Sequence, residues 1–392
     1  MKQLLMILTA VLTISQFSSA QNSIDALLTE IENNNTTLSA LRKTVDAEKI
    51  GNKTGIQLQN PEVEFHYLWG NPSAIGNRTD ISVKQSFDFP SAYAYRNQIA
   101  ELKNEQAELE YKKQKLDIFL QVRLICADLT YQNALQAEYQ KRQQNASQIA
   151  QSVETKLKVG EANILDRNKA KVTLLNTEAE LRHIEIQRQT LLQQLATLNG
   201  GNAVDFKDSI YQLSAIDTDF DQWVEQAAVN NPVLNWLKQE IDISEKNTRL
   251  QSAQSLPKLN AGYMSEKVVG EHFQGLTVGI SIPLFENKNT VKYARLKNEA
   301  AQHRQIDEKM RFYNNMKTLH TRAIALQQSI SEFRDQLSLQ SDLELLKKAL
   351  DKGSISLTEY LFELTVYYDS LENLLEMEKE LSTTKAQLLI YS

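Results

Sequence analysis

Two carboxylates, Asp166 and Glu359, occupy matching places in this 392-residue sequence. Each lies six residues past a glycine, Gly160 or Gly353, and the two are 193 positions apart. The glycines are where long helices are expected to end, so both acids fall in the first turns of a returning helix, where the helix dipole favours a carboxylate. One role is that of a solvated helix-start acid. The other is electrostatic. Several such carboxylates gathered at a narrowing would concentrate cations, an effect that fades once salt shortens the Debye length below about 10 Å. Other chemistry-bearing residues are sparse. The five histidines (His66, His183, His272, His303 and His320) include no pair at i, i+4 spacing. Cys126 is the only cysteine, so an intrachain disulfide and a cysteine metal cluster are both excluded. It reads as a small apolar residue on a helix face. No nucleophile–base spacing, phosphate loop or metal-ligand set stands out, so no catalysis, cofactor or metal site is expected.

The elements that would position the two acids are long helices. All six prolines (Pro61, Pro72, Pro90, Pro232, Pro257 and Pro283) lie outside 91–231 and 284–392. Glycine is absent from 91–159, 161–199, 284–352 and 354–392, and these stretches are rich in strong helix formers. A helix over 91–159 would run about 100 Å at roughly 1.5 Å per residue, more than a compact core needs. Ile306, Met310, Tyr313, Met316, Ile330, Phe333, Leu337, Leu343, Leu346 and Leu350 fall mostly at three- and four-residue steps, a narrow stripe of coiled-coil type.

The chain reads as a duplication. Pro90 and Pro283 are 193 apart, as are the two glycines, while "NNTTLSAL" from Asn34 matches "NNPVLNWL" from Asn230 at an offset of 196, shared by Pro61 and Pro257. Each half reads helix, strand, loop, strand, very long helix, glycine turn, helix. Repeat 1 covers 21–199 and repeat 2 covers 217–392, with a linker over 200–216 that begins "GGNAVDF".

The strands are expected near 61–69, 80–89, 257–266 and 274–283. In "TDISVKQSFDFP" the odd positions Ile81, Val83, Gln85, Phe87 and Phe89 alternate with Ser82, Lys84, Ser86 and Asp88. Val63, Phe65, Tyr67 and Trp69 alternate likewise, as do Leu276, Val278, Ile280 and Ile282; Leu259, Ala261 and Tyr263 form a weaker copy. Strands of roughly ten residues match a membrane-spanning β-strand. Four cannot close a barrel, and an open edge is not viable in lipid. Two chains would supply eight strands and a filled interior; three would supply twelve and room for a channel. The apolar faces (Phe65, Tyr67, Trp69, Ile81, Val83, Phe87, Leu276, Val278 and Ile280) would then meet lipid. Glu64, His66, Ser82, Lys84 and Asp88 would line water. A small soluble sheet packed on helices is the alternative.

The N-terminal "MKQLLMILTAVLTISQFSSAQ" has a basic start, an apolar run from Leu4 to Ile14, and Ser18 and Ala20 at −3 and −1 of a cleavage site. It is expected to be a signal peptide over 1–20, without the cysteine of a lipoprotein. A net charge of −6 with no basic block argues against nucleic acid.

Four phrases carry a family resemblance. "VKQSFDFPSAYAYRN" and "VGISIPLFENKN" contain the strand-to-helix crossings Pro90 and Pro283, and "KLKVGEANILD" and "KALDKGSISLTEY" contain the tip glycines. Their order and equal spacing in two copies resemble the TolC family of bacterial outer-membrane efflux proteins, over essentially all of the mature chain. The resemblance implies a mainly α fold with a small β part. It implies a homotrimer with a shared twelve-stranded barrel in outer-membrane lipid and a helical tunnel in the periplasm. The implied partners are a periplasmic adaptor (membrane fusion protein) and an inner-membrane RND-type pump, with metal cations or drugs as cargo. It also implies that Val159, Gly160, Glu161, Ala162, Gly353, Ser354 and Ile355 form adaptor-docking grooves, and that Asp166 and Glu359 belong to an acidic ring at the periplasmic aperture. The short chain and "QSFDFP" look most like the heavy-metal efflux branch. Two departures stand out: many relatives carry a lipid on an N-terminal cysteine, and ordinary porins end in an aromatic strand residue, whereas this sequence ends "LLIYS" in a helix. A duct for type I protein secretion, or a periplasmic scaffold or adhesin without transport, are the other functions considered.

Overall fold

The computed structural model describes residues 19–212, 216, 219–340 and 343–391. The expected leader therefore lies outside the described residues, apart from Ser19 and Ala20 at the start of α1. The first repeat comprises α1 (Ser19–Asn34), α2 (Thr36–Gly51), β1 (Glu62–Leu68), β2 (Arg78–Phe87), α3 (Pro90–Lys158) and α4 (Ile164–Leu198). The second comprises α5 (Phe220–Asn230), α6 (Pro232–Gln254), β3 (Lys258–Val268), β4 (Glu271–Ser281), α7 (Thr290–Gln340), α8 (Leu343–Asp351) and α9 (Leu357–Leu388). The order of elements is the same in both except that α7 and α8 stand where the first half has the single helix α3, and the caps also recur. Buried Asn35 accepts from the Leu38 N–H at 2.8 Å ahead of α2. Its counterpart Asn231, also buried, accepts from the Val233 and Leu234 N–H groups at 2.8 and 3.3 Å ahead of α6.

The chain forms two compact units, each drawing on both repeats. One holds the described residues up to 39 with 114–227 and 313–391; the other holds 40–113 and 228–312. In the first unit, Val122, Ile125, Cys126 and Leu129 of α3 pack with Leu27, Leu28 and Ile31 of α1, Leu195 of α4 and Phe206. Cys126 is fully buried there, and burial pushes its thiol up to about 12. A second cluster joins Ala323 and Ile330 of α7 to Leu374 and Leu381 of α9. Both pairs are seven residues apart, the repeat of a supercoiled seam.

The expected stripe on α7 is only partly right. Met316 and Ile330 are buried, but Ile306, Met310 and Tyr313 are exposed. In the second unit Ala294 and Ala301, again seven apart, are buried on this helix, with Phe312 at its border. Small side chains let helices approach closely, so the seam there runs through alanines and leaves Ile306 and Met310 outside.

The second unit holds the sheet, antiparallel throughout, in the order β1-β2-β3-β4. The expected strands are present with shifted ends. β3 and β4 run farther toward each other than expected and leave only Val269 and Gly270 between them, both at positive φ (40° and 89°). Within the stretch left between the expected strands, Lys267 pairs with His272 and Val268 with Glu271 in the ladder. Exposed charges do not prevent backbone pairing. The two crossings also differ. Pro90 is the first residue of α3, with two residues between it and β2, whereas Pro283 lies second in a loop over 282–289, and α7 starts only at Thr290. Pro283 has no N–H to continue a ladder, and Asn289 breaks the chain before the helix with φ at 67°.

Candidate functional site

The strand register settles which residues share a face. Phe65 lies opposite Ile81 and Val63 opposite Val83. Ile81 lies opposite Ser265, Val83 opposite Tyr263 and Phe87 opposite Leu259. Leu259 lies opposite Ile280, Ala261 opposite Val278 and Tyr263 opposite Leu276. Directly paired residues project from the same side of a sheet, so eight of the nine residues expected on the apolar face, on β1, β2 and β4, do share one face. Trp69 is the exception: β1 ends at Leu68, and Trp69 lies just beyond it with its ring 5.7 Å from that of Tyr67. The weaker copy adds Leu259, Ala261 and Tyr263 to the same face. The opposite face carries Glu64, His66, Asp80, Ser82, Lys84, Asn260 and Glu266. Arg78 ties Asp80 to Glu266 there, at 2.8 and 3.3 Å.

Among the described residues nothing covers the outer part of the apolar face: Leu276 is 88 % and Val278 86 % exposed. Contiguous apolar surface of this kind marks a membrane or partner contact. β1 and β4 each pair on one side only, leaving two open edges.

The tips lie in the first unit, and both repeats build them alike. After α3 the Gly160 N–H donates to the Leu157 carbonyl at 3.2 Å and the Glu161 N–H to the Lys156 carbonyl at 2.8 Å. After α8 the Gly353 N–H donates to Leu350 at 3.0 Å and the Ser354 N–H to Ala349 at 2.8 Å. Each is a Schellman ending with its glycine in the left-handed region, at φ 79° and 71°. The returning helices are capped at equivalent positions. Asn163 accepts from the Asp166 N–H at 2.9 Å. Ser356 accepts from the Glu359 N–H at 3.2 Å, while the Glu359 carboxylate accepts from the Ser356 N–H at 2.7 Å, a complete capping box. The Ser356 N–H, then the Ser356 hydroxyl, hold the Glu359 carboxyl below its ordinary value.

Between the two turns is a cavity of about 230 Å³. Its apolar floor includes Ile149, Val153, Leu350, Leu357 and Tyr360, and its charged rim includes Lys156, Glu161, Asp166, Lys347 and Asp351. Of the expected tip residues, Glu161, Ala162, Gly353 and Ile355 line it. Val159, Gly160 and Ser354 are exposed and do not line it. The structure also separates the two acids: Asp166 lines the cavity, whereas Glu359 is exposed and folded back on its own cap.

One cluster escaped the sequence reading. Arg142 of α3 is only 6 % exposed. Its guanidinium carbon lies 4.4 Å from the Tyr139 ring centre and 4.0 Å from that of Tyr368 on α9. It pairs with Glu372 and lies 3.5 Å from Glu138. A signal was present: Leu135, Arg142 and Ile149 are seven apart and all buried, so a cation occupies a seam position.

Among the described residues no group of histidine, cysteine, aspartate or glutamate could hold a metal ion, and no helix is long and apolar enough to cross a membrane. No family model and no curated protein matches the sequence. Solved structures do match. CusC, studied for conformational changes accompanying folding and transmembrane channel formation, superposes with a TM-score of 0.76 at 16 % identity, covering 94 % of this chain and 91 % of that one. The outer-membrane channel OprN gives 0.77 at 12 %, covering 96 % and 90 %. The outer membrane protein VceC of Vibrio cholerae gives 0.74 at 15 %, covering 94 % and 95 %. At such identities the likeness is one of architecture: a mainly helical chain with a four-stranded antiparallel sheet, in the TolC-like fold of these outer-membrane channels.

Proposed function

We propose that this chain is one protomer of a homotrimeric outer-membrane exit duct, without enzymatic activity, in a tripartite efflux system. Three sheets join edge to edge into a twelve-stranded barrel, and the helices continue as a tunnel into the periplasm. A periplasmic adaptor docks at the helix tips and receives small toxic solutes, metal cations or drugs, from an inner-membrane RND-type pump. The observation that carries this reading is the sheet. It has one uncovered apolar face, one polar face and two open edges, features that suit a barrel shared between chains and suit no isolated soluble sheet. Native mass measurement in detergent is expected to give three chains, and reconstituted protein is expected to conduct ions across planar bilayers. A stable monomer that needs no detergent would end the proposal.

In the same bilayers, the double variant Asp166→Asn, Glu359→Gln tests the acidic aperture. Lower cation selectivity at low salt is the expected result. An unchanged reversal potential would leave both residues with the helix-start roles described above.

The tip glycines test docking. A Cβ built at Gly160 or Gly353 would meet nothing within 4 Å, so the burden of substitution is backbone strain rather than a clash. Gly160→Glu or Gly353→Glu is expected to cost its turn about 1–2 kcal/mol, because the left-handed region is unfavourable for a side-chain-bearing residue. Adaptor capture should weaken while trimers persist. If both variants capture adaptor as the unaltered protein does, docking lies elsewhere.

A further inference from the structure

The two crossings from sheet to helix, alike in sequence position, differ in chemistry. After β2 the crossing is only two residues, Asp88 and Phe89, the latter 41 % exposed. Asp88 pairs with Arg96, and the Asp88 N–H donates to the Tyr93 hydroxyl at 3.0 Å. After β4 the loop 282–289 carries Ile282, Leu284 and Phe285, which are 61 %, 74 % and 86 % exposed. The loop is tethered to its own unit. Glu286 pairs with Lys258 at 3.3 Å, and the Asn287 amide donates to the Gln254 carbonyl at 2.8 Å. Its apolar side chains are thus displayed on a held turn. Ile282 continues the alternation of Leu276, Val278 and Ile280, so the loop extends the uncovered apolar face beyond the last ladder pair, Lys258 with Ser281. Lys288 and Lys292 follow at once, and neither is ion-paired among the described residues.

We propose that the loop 282–289 is a membrane-interface anchor: Ile282, Leu284 and Phe285 enter the acyl boundary of the leaflet where β4 ends, and Lys288 and Lys292 bind phospholipid phosphates. This rests on the reading of the sheet as membrane-spanning. Apolar and aromatic side chains backed by lysines are the composition of interfacial anchors. The basic pair makes phospholipid a better occupant than a second apolar protein surface, because anionic head groups neutralise the lysines.

The test uses the full-length protein reconstituted in vesicles of phosphatidylethanolamine and phosphatidylglycerol. Single cysteines replace Phe285, Leu276 on the strand face, or Ile306 on α7, and each carries an environment-sensitive fluorophore; buried Cys126 stays unlabelled. Lipid bearing a nitroxide near the head group is expected to quench the label at Phe285→Cys about twofold, lipid bearing it deep in the acyl chain to quench Leu276→Cys at the middle of β4, and neither lipid to change Ile306→Cys. Quenching at Leu276→Cys without quenching at Phe285→Cys would overturn the anchor and assign the loop to contact with a neighbouring protomer. No quenching at Leu276→Cys would overturn the membrane-spanning sheet itself, and the anchor with it. In the second arm, Lys288→Gln with Lys292→Gln is expected to reduce the preference for phosphatidylglycerol over phosphatidylcholine about fivefold, less at high salt. An unchanged preference would remove the lysines from the proposal.

Discussion

Replacing Val278 by arginine is expected to abolish the membrane-inserted assembly. Val278 lies near the middle of β4, opposite Ala261 and between Leu276 and Ile280 on the uncovered face. An arginine on the lipid face of a barrel costs about 2–4 kcal/mol near the bilayer midplane, and a trimer incurs it three times. Ser82→Arg is the matched control. Ser82 sits in β2 on the opposite face, between Asp80 and Lys84, where the chain already carries charge. The measurement is the fraction of folded trimer recovered from outer-membrane fractions. Val278→Arg should be depleted and Ser82→Arg near the unaltered level. Equal recovery of the two would mean that the apolar face does not meet lipid.

The second large effect is expected at Arg142. Removing its charge leaves the carboxylates of Glu138 and Glu372 beside an apolar residue, with two tyrosine rings deprived of their cation. Arg142 is buried but the Glu372 side chain is 32 % exposed, so breaking their pair costs less than breaking a fully buried one, at about 3–5 kcal/mol, and loss of the cation–π contacts adds up to about 2 kcal/mol. Arg142→Met should therefore lower the unfolding midpoint of the helical signal strongly. Arg142→Lys should fall between, because an ammonium keeps the charge but not the planar stack. A midpoint unchanged in Arg142→Met would show that the cluster contributes little. The same cluster predicts alkaline sensitivity. Burial, then the Glu372 carboxylate, push the Tyr139 hydroxyl up to about 12 from 10.0. A raised folded value means its contribution is complete below 10.0 and lost as pH rises toward 12. Tyr139→Phe should remove that part of the alkaline loss.

What the sequence determined by itself was local. The absence of proline and glycine sets out α3 and α4, because helix formation depends on each residue's own backbone preferences and on neighbours within a turn. The same holds for the tips. Gly160 and Gly353 take the left-handed conformation, and the acids six residues on fall beside helix caps, because a Schellman ending and a capping box are closed by residues a few positions apart. The alternation in "ISVKQSF" and "LTVGISI" identified two-faced strands for the same reason.

Contacts between distant segments were decided only in the tertiary structure. Each hairpin's alternation leaves open whether the two apolar faces lie on the same side. The pairing of β2 with β3, which sets Phe87 against Leu259, answers that by joining residues from different repeats. The α7 seam follows Ala294 and Ala301 and leaves out Ile306 and Met310, because side-chain size cannot reveal how closely a neighbouring helix approaches. Arg142 is stable as a buried cation only because Tyr368 and Glu372 come from a helix more than two hundred residues away. The crossing after β4 opens into a displayed loop, whereas its sequence counterpart at Pro90 does not. A proline follows the ladder in both places, but where the next helix starts goes with the tethers Lys258–Glu286 and Gln254–Asn287, and those partners lie about thirty residues earlier in the chain.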